Sequence, residues 1–126
     1  MTIDSKIKDL IEYAKRDEDI LAIILFGSFL KNNFHRDVDI CLVLKRKPTQ
    51  LRMSKKRLEY LTNFPGFDIQ IFQQLPLYIR IRVLREGKVI YCSNESLLYD
   101  IAFQVIKEFE DFKPFYREYL RGVLHG

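Results

Sequence analysis

Apolar positions along this chain change period several times, and each change marks an element. Ile3, Ile7, Leu10, Ile11 and Ala14 recur at helical spacing, so residues 4–16 read as an amphipathic helix. Leu21 to Phe26 is a continuous apolar run ending at Gly27, as expected of a strand buried on both faces. Val38 to Leu44 is a second such run. Pro48 and Thr49 open a helix through about Asn63, with Leu51, Leu58 and Leu61 as its apolar positions. After the turn signal Pro65-Gly66, residues 67–72 alternate as a third strand, with Phe67, Ile69 and Ile71 set against Asp68 and Gln70.

Residues 76–86 fit either period, but Pro76 at their start and Gly87 at their end favour a helix. Lys88 to Cys92 reads as a last short strand. Ser93-Asn94-Glu95-Ser96 starts a long helical pattern, 97–124, which the sequence predicts to be interrupted at Pro114. Most of its aromatic series (Phe103, Phe109, Phe112, Phe115, Tyr116, Tyr119) reads as core, with Tyr116 and Tyr119 as a candidate partner strip. The order α-β-β-α-β-α-β-α predicts an α/β (α+β) fold: a short mixed β-sheet with helices packed around it and a long C-terminal helix. With 126 residues and no linker or repeat, a single domain spanning 1–126 is expected.

Composition narrows the class without naming it. The chain is 48% hydrophobic and 30% charged, an ordinary globular balance. The polar first residues argue against a signal peptide, and the longest apolar run, seven residues, is too short to span a bilayer. A cytoplasmic protein is expected, with Cys41 and Cys92 as buried free thiols. The net charge of +4 is concentrated between Lys45 and Arg57, a stretch with seven cations and no acid. It is either a solvated surface or a positive field beside the acidic residues described next.

Those residues carry the candidate chemistry. Gly27-Ser28 ends the first strand, and Asp37-Val38-Asp39 opens the second. On an extended strand, residues i and i+2 share a face, so Asp37 and Asp39 project together. Paired carboxylates repel, and a hard divalent cation is their natural partner. If the third strand lies beside the second, Asp68 joins them, and the trio suits two Mg²⁺ ions and in-line phosphoryl or nucleotidyl transfer. Asp68 can bind metal or accept a proton. Backbone N–H groups at Gly27 and Ser28, with the Ser28 hydroxyl, would cradle terminal phosphates, and Lys31 is a further candidate contact. His35 and Arg36 read as loop, and Arg80, Arg82 and Arg85 as a solvated helix face or a nucleotide or partner surface.

Together, Gly27-Ser28, the Asp37/Asp39 pair and Asp68 resemble the polymerase-β-type nucleotidyltransferase superfamily. The short length and the Leu84-Arg85-Glu86-Gly87-Lys88 and Asp111-Phe112-Lys113-Pro114 segments are similar to its minimal nucleotidyltransferase (MNT) branch. The family's usual Gly-Ser-x-Ala-Arg-Gly run reads Gly27-Ser28-Phe29-Leu30-Lys31-Asn32 here, and Lys31 keeps the positive charge. The resemblance implies an ATP-using, Mg²⁺-dependent adenylyltransferase. It also implies a cognate HEPN ribonuclease toxin as partner, with a tyrosine of that toxin as acceptor and this chain as antitoxin. By the same carry-over Asp37, Asp39 and Asp68 are metal ligands, and Gly27 and Ser28 hold phosphate. A binding antitoxin that acts by contact alone is the alternative. Self-association is left open, whereas membrane or direct nucleic-acid binding is not expected.

Overall fold

The computed structural model describes residues 3–27 and 38–125, apart from the side chains of 3, 116, 120 and 123–125. Its elements follow the predicted order: α1 (Ile3–Lys15), β1 (Ile20–Phe26), β2 (Val38–Leu44), α2 (Gln50–Asn63), β3 (Phe67–Ile71), α3 (Leu77–Glu86), β4 (Lys88–Cys92) and α4 (Glu95–His125). The strands form one mixed sheet in the order β3-β2-β1-β4. β1 is antiparallel to both β2 and β4, and β2 is parallel to β3. A parallel pair requires a crossover, which α2 supplies.

The two central strands are almost wholly apolar because both of their faces are covered. On one face Ile20, Ile23, Ile40, Leu42, Ile69 and Ile71 pack with Leu10 and Ala14 of α1 and Met53 and Tyr60 of α2. On the other, Leu21, Ala22, Ile24, Cys41 and Val43 pack with Ile81 and Val83 of α3 and Val105 of α4. Side-chain bonds set the ends of the elements. Thr49 Oγ1 accepts from the Arg52 N–H at 3.2 Å, and Asn94 Oδ1 accepts from the Leu97 N–H at 3.1 Å, each capping a helix. Beyond the end of β3, the Gln73 side chain extends the ladder of β2. Its Nε2 donates to the Leu44 carbonyl at 2.8 Å, and its Oε1 accepts from the Leu44 N–H at 3.2 Å.

Four sequence expectations are corrected. The buried face of α2 is Met53 and Tyr60, whereas Leu51 and Leu58 are exposed. Tyr60 wins that face because its ring is wholly covered while its hydroxyl donates to Asp17 Oδ2 at 2.9 Å. α4 runs through Pro114 without a break. Proline removes one helical N–H, but Glu110 and Pro114 both lie on the exposed side, where water can satisfy the freed carbonyl. Most of the α4 aromatics are not core: Phe103, Phe115 and Tyr119 are exposed, and Phe109 packs inward. The helix outruns the sheet: among the described residues, the face that packs on the core through Ile101, Val105 and Phe109 carries no further core residue beyond Phe109. Finally, Cys41 is buried but Cys92 only half-buried; both are free thiols.

The strongest polar cluster pins the start of β1 to α2. Lys56 Nζ lies 3.0 Å from Asp17 Oδ2, 3.0 Å from Asp19 Oδ2 and 3.5 Å from Glu59 Oε1. Tyr13 adds a 2.6 Å bond from its hydroxyl to Glu59. Burial alone would raise the Asp17 pKa. The bonds from Lys56, the Asp19 N–H and Tyr60 outweigh it and hold the carboxyl below its ordinary value. A lowered folded pKa stabilises the fold above the unfolded value of about 3.9, and that contribution is lost as pH falls through the folded value. Asp17→Asn is therefore expected to cost about 2 kcal/mol at neutral pH. The deficit stays constant down to about pH 5 and shrinks below about pH 4. Urea unfolding of both proteins across this range checks the sign.

Candidate active site

The strand register builds the site. Asp39 of β2 pairs with Asp68 of β3 on one side and with Phe26 of β1 on the other. The three residues form a row across the sheet, with neighbours about 4.8 Å apart in the strand-to-strand direction. Alternation decides which way they point. Val38 and Ile40 face α1 and α2, as do Phe67 and Ile69, so Asp39 and Asp68 face the α3/α4 side. Both are only half-buried at this end of the sheet, where water or a ligand can reach them. Gln70, two residues along β3 and on the same face, donates through Nε2 to Asp68 Oδ1 at 3.3 Å. The sequence reading passed over Gln70; its i+2 spacing from Asp68 was the available signal.

Gly27 closes the row. Its φ of +78° is a left-handed conformation that residues with a Cβ rarely adopt. A Cβ built there would fall on the Asp39 carboxylate, so the glycine backbone packs directly against that group. The absent side chain is a requirement of the acid as much as of the turn. Ser28, Lys31 and Asp37, like His35 and Arg36, lie outside the described residues.

The basic run lies elsewhere than a field beside the acids would require. β1 and β2 are antiparallel, so Leu44 sits opposite Ile20, at the far end from Phe26 and Asp39. Lys45, Arg46 and Arg52 line a groove of about 540 Å³ there, together with Glu18 and Asp19. Six residues of β-strand, about 20 Å, separate Lys45 from Asp39. Two members of the run are structural: Lys56 in the cluster above, and Arg57, whose Nε donates to the Ile69 carbonyl at 2.7 Å. The paired acids do not line this groove. A smaller hollow of about 200 Å³ adjoins Gly27, lined by Phe26, Ile79, Arg82, Val83 and Glu86.

Acidic residues in register on adjoining strands, against a positive-φ glycine at a strand end, are an arrangement that can accept a cation and a phosphate group. Comparison with known proteins identifies the family. The family model for polymerase beta nucleotidyltransferases matches residues 8–96. A Methanocaldococcus jannaschii protein named "Putative protein adenylyltransferase" is 35% identical over 101 residues, covering 79% of this chain and 77% of that one. The chain belongs to the polymerase beta nucleotidyltransferase family and is a nucleotidyltransferase. Solved structures agree on the fold. The MNT antitoxin in complex with the tri-AMPylated HEPN toxin of Shewanella oneidensis superposes with a TM-score of 0.72 at 13% identity, over 96% of this chain and 98% of that one. A toxin–antitoxin chain crystallised with AMP-PNP gives 0.72 at 16% identity, over 98% and 99%. Among the described residues, no helix is long and apolar enough to cross a membrane.

Proposed function

We propose that this protein transfers AMP from ATP to a tyrosine hydroxyl of a cognate HEPN ribonuclease toxin and so acts as its antitoxin. The observation that carries the reading is the register of Asp39 with Asp68 beside Gly27. The adenylyltransferase relative and the AMPylated toxin of the fold neighbour supply the acceptor class. Residues 1–126 act in this reading as one domain.

The donor set fits Mg²⁺: Asp39 and Asp68, in register on neighbouring strands, offer carboxylate oxygens, which are hard ligands. Asp37, Asp39 and Asp68 would hold it, and the metal would supply charge neutralisation for the triphosphate and the departing pyrophosphate. The chain's own residues do the rest. Gly27 and Ser28 offer backbone N–H groups and a hydroxyl to the phosphates, and Lys31 adds positive charge. Asp68, its orientation held by Gln70, accepts the tyrosine proton. The tyrosine oxygen then bonds to the α-phosphorus while the bond to the β-phosphate oxygen breaks, and pyrophosphate leaves.

A contact-only antitoxin is the second reading, and α4 is the observation that favours it. Phe112, Phe115 and Tyr119 form an exposed apolar strip along the helix beyond the sheet. Labelled ATP separates the two. With ATP labelled at the α-phosphate, wild type is expected to label the toxin; with label at the γ-phosphate it does not. Asp39→Asn transfers neither. Toxin neutralised equally by wild type and Asp39→Asn, with no label from either, leaves contact alone as the function.

A further inference from the structure

The hollow beside Gly27 continues the acidic row on the same face of the sheet. Phe26, in register with Asp39, forms part of its wall, and Gly27 lies at its edge. Ile79 and Val83 of α3 supply the other apolar surfaces. Among the described residues, its polar side chains are Arg82 and Glu86, one helical turn apart, with Arg82 Nη2 3.5 Å from Glu86 Oε2. The two side chains are 57% and 50% exposed, so their pairing is weak and easily exchanged for a ligand. At about 200 Å³, the hollow is smaller than the roughly 300 Å³ at which sites for whole drug-sized ligands begin. It suits one planar heterocycle better than an entire nucleotide.

We infer that this slot receives the nucleobase of the donor nucleotide and that Glu86 selects adenine. The inference rests on the reading above that the acidic row takes ATP. Phe26, Ile79 and Val83 give apolar contact to the ring. The Glu86 carboxylate accepts a hydrogen bond from the exocyclic amine of adenine, and the Arg82 guanidinium donates to a ring nitrogen. Phe26 and Asp68 are two strand spacings apart, about 10 Å, so a base in the slot leaves its sugar and phosphates to run past Gly27 to the carboxylates. Guanine and hypoxanthine carry a carbonyl oxygen where adenine has its amine, and that oxygen would face the carboxylate. A charged acceptor opposed by another acceptor makes no hydrogen bond and is disfavoured. Glu86 is thus a specificity-determining residue, and Arg82 is its partner.

Calorimetric titration of the full chain with AMP-PNP and with its inosine counterpart, in Mg²⁺, tests this. Wild type is expected to bind the adenine analogue more tightly by about tenfold or more. Glu86→Gln keeps the shape but can turn its amide N–H₂ toward the carbonyl oxygen, so the ratio falls to within about twofold. Glu86→Ala weakens adenine discrimination likewise. Thermal melts of the variants should overlay that of wild type, since Glu86 is exposed. Equal affinity of wild type for the two analogues, or a ratio unchanged in both variants, overturns the base slot while leaving the acidic site standing. Absence of binding of either analogue to wild type overturns both.

Discussion

Alanine at Gly27 is expected to reduce nucleotidyl transfer by about 100-fold or more while the chain still folds, because displacing a reacting group by about 1 Å costs that much. Two effects add at this position. The φ of +78° imposes a left-handed strain of about 1–2 kcal/mol on any residue with a Cβ. The new methyl also takes the place of the Asp39 carboxylate, which must move out of the row it forms with Asp68. Gly66 separates the two effects. Its φ is +101°, yet the nearest atom to a Cβ there is the end of the Lys6 side chain, at 3.7 Å. Gly66→Ala should therefore lose stability of the same order, a few degrees in Tm, with transfer intact. Label transfer and melting temperature measured on both variants decide the matter. Equal loss of activity would assign the effect to general strain, not to the carboxylate.

How far the sequence could be read follows from which forces act locally. Strand and helix identities were legible because period, turn residues and caps are short-range: Gly27, Pro65-Gly66, Pro76 and Gly87 all fall at element ends. Asp37 and Asp39 could be placed on one face of their strand from alternation alone, and Asp68 on the face opposite Phe67 and Ile69, but that Asp68 lies at the same end of the sheet as Asp39 depends on how the strands pair. Their register required the parallel pairing of β2 with β3, a tertiary fact. The buried face of α2 was misread for the same reason. Leucine outranks tyrosine on any apolar scale, but Tyr60 has Asp17 as a partner from 43 residues away, which no local pattern reports. The α4 aromatics failed differently. Helical spacing gives the face correctly but not where the sheet beneath it ends. The two readings of the basic run could not be separated because charge is read along the chain, while it is the antiparallel β1–β2 pair that carries Lys45 to the opposite end of the sheet from Asp39.

Asp68→Asn should give opposite signs for activity and stability. Transfer is expected to fall about 1000-fold, equivalent to about 4 kcal/mol of transition-state stabilisation, because the substitution removes both a metal ligand and the proton acceptor. Without metal, however, the fold should become slightly more stable. Like charges directly opposite on neighbouring strands destabilise a sheet by up to about 1 kcal/mol, and asparagine removes one of them. It is also nearly isosteric, and its carbonyl oxygen can still accept the 3.3 Å bond from Gln70, so no polar group is stranded. Magnesium then reverses the order. A cation that binds only the folded state raises Tm by mass action, so wild type should gain stability on titration with Mg²⁺ and Asp68→Asn should gain far less. Melting curves of both proteins in EDTA and in Mg²⁺ read the two stability effects, and label transfer reads the activity. If Asp68 served the fold alone, its loss would lower Tm under both conditions and leave the response to magnesium unchanged. A residue that costs stability until a cation arrives belongs to the reaction, and the crossing of the two Tm series is the signature of that role.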